Sequence, residues 1–140
     1  MSEAFPGAVP EIPVSSVSAA IAYYEQCLGF RGQGGSDGGF GQVCRGSCRL
    51  FLTDQGFRDG YGDLGVRAPV VIWLNLDNRN EVDVLYQAWR RSGARILCEP
   101  ESKPWHLHEF TAQDLDGNLL RVFYDFAWEL QPATISANRS

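Results

Sequence analysis

The sequence predicts an α+β fold built from two successive βαβββ modules, and three observations carry that expectation. The order strand, helix, three strands occurs twice, on either side of a glycine- and aspartate-rich stretch. Each helical segment has its own cap, apolar stripe and stop signal. The remaining extended runs are short and separated by turn-forming residues. The repeat is one of element order, with little residue identity beyond the helix pieces "YYEQCLG" and "YQAWRRSG".

The first strand is "AVPEIPV" (Ala8 to Val14), whose two prolines point to an edge of a sheet because proline has no N–H for a central ladder. Ser15 or Ser16 can cap the helix that follows. Val17, Ala20, Ile21, Tyr24 and Leu28 recur at helical spacing, and Gly29 supplies the left-handed residue that stops it. The runs "FRGQGG", "FGQVCRG" and "CRLFLTD" complete the first module. After the loop "QGFRDGYGDLG" (Gln55 to Gly65), "PVVIWLNL" reads as the strand opening the second module. Asn78 or Asn80 can cap its helix, Glu81 and Asp83 suit the positive end of the helix dipole, and Gly93 ends it. The stripe expected to be buried is Val82, Leu85, Tyr86 and Trp89. "ARILCEP", "HEFTAQD" and "NLLRVFY" follow, the last two joined at Asp116-Gly117, a strong hairpin signal.

These readings divide the chain into a flexible start (1–7), one domain (8–126) and a polar tail (127–140). The domain holds modules at about 8–54 and 68–126, joined by the loop 55–67. A chain of 140 residues can bury a genuine core without disulfides or a structural metal. No apolar run approaches the roughly 20 residues of a membrane span, and the start "MSEAFPGAVP" lacks a basic and apolar signal pattern, so a cytoplasmic location is expected. Cys27, Cys44, Cys48 and Cys98 lack zinc-ribbon spacing and read as small buried hydrophobes; Cys44 and Cys48 facing each other across "RGS" is the metal or redox alternative. A net charge of −5 argues against nucleic acid and would draw a cationic small molecule. No nucleophile elbow, Walker loop or cysteine–histidine constellation occurs. "GQGGSDGGFG" lacks the strand-to-helix setting of a phosphate loop.

Two segments resemble the vicinal oxygen chelate superfamily, which includes glyoxalase I, extradiol dioxygenases, and fosfomycin- and bleomycin-resistance proteins. "IPVSSVSAAIAYYEQCLGF" (Ile12 to Phe30) is similar to its first strand and helix, which end in Y-x-x-x-L-G-F. "KPWHLHEFTAQDLDGNLLRVFY" (Lys103 to Tyr124) is similar to its final hairpin, P-W-G-x-x-E-F-x-x-x-D-P-D-G-N. The bleomycin-resistance branch is the nearer match, through "AVP" at Pro10, "RLFLT" at Phe51 and Thr53, and "VLYQAW" from Val84 to Trp89. The resemblance implies that the modules pair into a cupped, mixed eight-stranded sheet with helices outside, in a homodimer with the ligand site inside the cup.

Enzymes of this superfamily hold a divalent metal through the first strand of each module and a glutamate on the last strand. Matched residue by residue, those positions are Val9, Val71 and Arg121. Two valines and an arginine cannot chelate a metal, and a slip of one residue offers no donor either. No cofactor is therefore expected, and the expectation leans away from catalysis. His106, His108 and Glu109 form H-x-H-E, with the two histidines on one face of an extended strand; they are the alternative, a displaced metal site serving a glyoxalase-type lyase or isomerase or a dioxygenase.

If Val9, Val71 and Arg121 mark the inward face, strand alternation adds Glu11, Trp73, Asn75 and Phe123 to it. Phe40, Phe51, Thr53 and Trp105 join through the resemblance to bleomycin-resistance proteins. Trp73, Phe51 and Phe123 either line an open cup or fill it as core, and Glu11 is the expected counter-ion of Arg121 unless Arg121 meets an anionic part of the ligand. The function expected is metal-free sequestration of a planar or cationic, bleomycin-like small molecule in a dimeric cleft. The further alternative is a regulatory or structural dimer.

Overall fold

The computed structural model describes residues 4–34, 39–64 and 67–130. The tip of the glycine-rich segment, part of the loop before residue 67, and the tail from 131 onward lie outside them. The chain divides into two compact units, residues 1–70 with Leu115–Asn118, and Val71–Asp114 with 119–140.

In the first unit β1 (Glu11–Pro13), α1 (Val17–Leu28), β2 (Arg31–Gly34), β3 (Phe40–Arg45) and β4 (Cys48–Thr53) follow the expected order. The strands form a mixed sheet, β1-β4-β3-β2, with β1 parallel to β4 at the edge. Pro10 and Pro13 explain both the edge position and the shortness of β1, which is three residues long instead of the seven expected. The ladder continues at its ends only through Phe51 N–H to Pro10 O and Val14 N–H to Thr53 O, both 2.9 Å. Ser16 is the cap of α1, accepting from Ala19 N–H at 3.2 Å, and Gly29 (φ 75°) closes it. Ile12, Val43, Leu50 and Leu52 on the sheet and Val17, Ala20, Tyr24 and Leu28 on the helix are all buried. Each large member contributes about 1.5–3 kcal/mol by leaving water. Ile21, expected in the stripe, is half-buried, while Tyr23 is buried.

Within the stretch read as a loop, 55–67, the described residues 55–64 are largely helical. Asp54 caps α2 (Gln55–Arg58) by accepting from Phe57 N–H at 2.9 Å, and a 3-10 segment, Asp59–Leu64, continues it. Glycine and aspartate content suggested a loop, but a single capped turn suffices to lay Phe57 and Tyr61 against the sheet.

The second unit repeats the plan with β5 (Val71–Asn75), α3 (Arg79–Arg91), β6 (Arg95–Ser102), β7 (Leu107–Gln113) and β8 (Leu119–Asp125), in the sheet order β5-β8-β7-β6. Asn78 caps α3 through Glu81 N–H (2.8 Å), while the Glu81 side chain accepts from Asp77 N–H (2.9 Å), a reciprocal arrangement. Val82, Tyr86 and Trp89 are buried as expected; Leu85 is half-buried. Two four-stranded mixed sheets with covering helices thus make up the fold. Residues 127–130, assigned to a tail, form a 3-10 turn in which Glu129 pairs with Arg79 (2.9 Å) and accepts from the Tyr124 hydroxyl (2.7 Å).

The β7–β8 turn has a second task. Its Asp116 accepts from Ser15 N–H (2.9 Å). Buried Asn118 donates to Pro13 O and accepts from Val70 N–H, both at 2.9 Å. The D-G-N phrase therefore ties together three segments distant in sequence.

The cysteines correct the expectation of burial: Cys27, Cys44 and Cys48 are half-buried and Cys98 is exposed. Burial, and then the neighbouring Cys44, push the Cys48 thiol up, which lowers its thiolate fraction. Timed iodoacetamide labelling followed by peptide mass spectrometry is expected to modify Cys98 before Cys48. Equal rates would contradict this ordering.

Candidate functional site

The site on the second unit follows from strand register. β5 and β8 run parallel with Val71 beside Leu119, Trp73 beside Arg121 and Asn75 beside Phe123, so these six side chains share one face. Ile72, Leu120 and Val122 project to the other face and are buried with Phe110 of β7 and with Tyr86 and Trp89 of α3. The Trp73 face is open instead. Trp73 is 47% exposed and meets Phe123 edge-on at 5.6 Å, which decides in this unit between an open surface and a packed core.

Arg121 lies over that indole, its guanidinium carbon 4.2 Å from the ring centre. Its Nη2 donates to Glu109 Oε1, and the second carboxylate oxygen accepts from Trp105 Nε1 at 2.8 Å. Glu109 is only 2% exposed, so these donors take the place of water around its carboxyl group. The counter-ion of Arg121 is thus Glu109, in place of the expected Glu11. The hairpin turn at Asp116-Gly117 held the signal. It sets Thr111 opposite Arg121 and Glu109 opposite Phe123, one diagonal step away on the same face. Trp105, 56% exposed, carries Lys103 Nζ at 5.7 Å from its ring, and Lys103 also pairs with Glu101 at 2.9 Å, which raises its pKa.

His106, His108 and Glu109 do not converge. His106 precedes β7 with φ 72° and lies against Phe126 at 5.6 Å, so it does not share a strand face with His108. His108 and Glu109 are neighbours on β7 and point to opposite faces. His108 is held by Asp83 of α3 (2.8 Å) and Ser102 (2.9 Å). Among the described residues no group of three histidine, cysteine, aspartate or glutamate side chains is arranged to hold a metal ion.

The superfamily's metal does not fit the positions matched to it. Val9 lies just ahead of β1 and Val71 on β5, and neither offers a donor; Arg121 presents a cation already bound to Glu109.

The first unit gathers the other expected residues. Glu11 lies beside Phe51, and Pro13 and Phe40 beside Thr53, on the face away from α1. Glu11 accepts from Thr53 Oγ1 (2.9 Å) and from Tyr61 Oη (2.7 Å). Phe40 is exposed and Phe51 half-buried, with ring centres 4.9 Å apart, while Thr53 is fully buried. Tyr61 and Phe57 were missed because a helical turn was not expected where they stand. The hydrogen bond to Glu11, then burial and the carboxylate's field, raise the Tyr61 pKa.

A family model described as the Glyoxalase/Bleomycin resistance protein/Dioxygenase superfamily matches residues 8–122. No curated protein matches the sequence. Among solved structures, a glyoxalase/bleomycin resistance protein/dioxygenase from Nocardioides is similar with a TM-score of 0.71 at 19% identity, covering 88% of this chain and 85% of that one. TioX from Micromonospora sp. ML1 is similar with a TM-score of 0.70 at 17% identity, covering 86% and 99%. Lactoylglutathione lyase from Agrobacterium tumefaciens has a TM-score of 0.67 at 19% identity, covering 88% and 97%. At such identities these likenesses concern the fold.

Proposed function

Because the chain belongs to the glyoxalase/bleomycin resistance protein/dioxygenase superfamily, we propose that it is a binding member of that group, holding a planar small molecule without turning it over. One observation carries the reading: where the resembling enzymes place a metal-binding glutamate, Arg121 is paired to buried Glu109 and laid on half-exposed Trp73. That arrangement offers an aromatic and guanidinium surface for stacking in place of a chelate. A planar ligand gains from both, because an indole held by a neighbouring ring and cation loses little freedom on binding. The ligand is of the bleomycin type in this reading, and sequestration is the mode of action.

Titrating metal-free bleomycin into the protein while following tryptophan fluorescence tests it. Saturable quenching is expected, and Trp73→Ala is expected to weaken binding about tenfold, the loss of roughly 1.4 kcal/mol of stacking. Unchanged affinity in that variant would remove the proposed surface. Metal analysis of untreated protein is the companion measurement. Stoichiometric zinc, nickel, manganese or iron supporting turnover would replace the binding reading with an enzymatic one.

A further inference from the structure

The face of the first sheet away from α1 carries a carboxylate at the edge of a partly exposed aromatic surface. Phe40 and Phe51 are 4.9 Å apart at 57°, Phe40 and Phe57 5.5 Å at 41°, and Phe57 and Tyr61 6.1 Å at 90°. The rings are therefore turned at differing angles around the patch instead of stacked into a plug, and Tyr61 remains 42% exposed. Glu11 is fixed at its edge by two hydroxyl donors, Tyr61 Oη at 2.7 Å and Thr53 Oγ1 at 2.9 Å.

Hydroxyls anchor that carboxylate without neutralising it. No ion pair of the described residues involves Glu11. Two arginines of the same unit, Arg58 and Arg49, are engaged elsewhere. Buried Arg58 is turned to the carbonyls of Thr53 and Val14 and reaches only the Thr53 hydroxyl, at 3.4 Å; Arg49 lies over Phe51 at 4.9 Å with its Nε on Gln42. The hydrogen bond to Glu11, then burial and lastly the carboxylate's field, raise the Tyr61 pKa, so the phenol keeps the proton it donates to Glu11.

We propose that this patch is a subsite for an organic cation, taking an alkylammonium or quaternary ammonium group of a small molecule, with Glu11 as counter-charge and Phe40, Phe57 and Tyr61 as walls. Aromatic faces attract a cation through their quadrupoles, and they suit a large, weakly hydrated ammonium far better than a metal ion, which needs several oxygen ligands. A single carboxylate with two hydroxyl donors turned toward it offers no such ligand set. The subsite extends the binding reading above to the first unit and names the charge of the group bound there. Its residues are distinct from the Trp73 surface, so each can fail alone.

The probe is choline, with 3,3-dimethylbutan-1-ol as its uncharged isostere, titrated into the full chain and followed by amide and aromatic NMR shifts. Saturable choline shifts are expected at Glu11, Phe57 and Tyr61, with the isostere at least about tenfold weaker. Glu11→Gln is expected to weaken choline about tenfold, and Phe57→Leu, which keeps apolar bulk and removes one π face, about three- to fivefold. Trp73→Ala is expected to leave choline affinity within about twofold even as it weakens bleomycin binding, because none of the contacts that build this patch involves Trp73. Equal affinity for the isostere, shifts confined to other residues, or no saturation by roughly 100 mM choline would each overturn the subsite.

Discussion

Glu109→Ala is expected to destabilise the protein by about 2–4 kcal/mol, because it leaves Arg121 on the sheet with no carboxylate while also stranding the Trp105 indole N–H. The upper range for a broken buried pair is reduced here because the Arg121 side chain is 30% exposed and water reaches part of it. Arg121 Nε is buried with no partner among the described residues, so no other acceptor stands ready beside the guanidinium. Glu109→Gln retains an acceptor for Trp105 and removes the charge, and a smaller loss is expected. Replacing both members, Glu109→Leu with Arg121→Leu, is expected to recover most of the stability, since two apolar groups require no compensation. Urea unfolding of the four proteins measures the series. A loss below about 1 kcal/mol for Glu109→Ala would mean that the pair is not the support of this face.

Asn118→Ala is expected to cost a further class of energy, about 2–4 kcal/mol, because both ends of one fully buried amide are in use. Its removal leaves the buried carbonyl of Pro13 and the part-buried N–H of Val70 without that partner. Asn118→Asp separates hydrogen bonding from size. The carboxylate can still accept from Val70 N–H, but it turns a lone pair toward Pro13 O where the amide donated, so no rescue is expected at neutral pH. Thermal unfolding reads the effect, at roughly 3–5 °C per kcal/mol for a chain of this size. An aspartate variant as stable as the parent would show that the Pro13 contact contributes nothing.

Asn118 also shows how far local pattern reaches. The turn was evident from Asp116-Gly117, because glycine at positive φ is a local requirement, and Gly117 has φ 87°. That the following asparagine would fasten Pro13, at the end of β1, to Val70 depends on which segments the chain brings to it. The helices were legible for a similar reason: caps and stripes are set within one turn or two, so Ser16, Asn78, Gly29 and Gly93 stand where spacing put them. The end of β1 was not legible, since a proline-containing extended run becomes a strand only as far as β4 offers it partners.

For the candidate site, alternation placed Trp73, Asn75, Arg121 and Phe123 on one face of the second unit, because a strand's period of two is a property of the backbone alone. Which charge meets which was beyond reach. Glu11 and Glu109 are equivalent as carboxylates in sequence, and the β7–β8 register gives Arg121 to Glu109, while a helical turn after β4 brings Tyr61 to Glu11. The H-x-H-E run failed on the same ground, as a left-handed His106 and a helix-bound His108 turned three adjacent donors in different directions. Spacing and element order therefore gave the two-module α+β plan, and the resemblance to the superfamily singled out Val9, Val71 and Arg121 as the positions matched to its metal ligands. Pair selection among charges needed the folded chain, because it rests on distances of a few ångströms between segments that sequence separation does not encode.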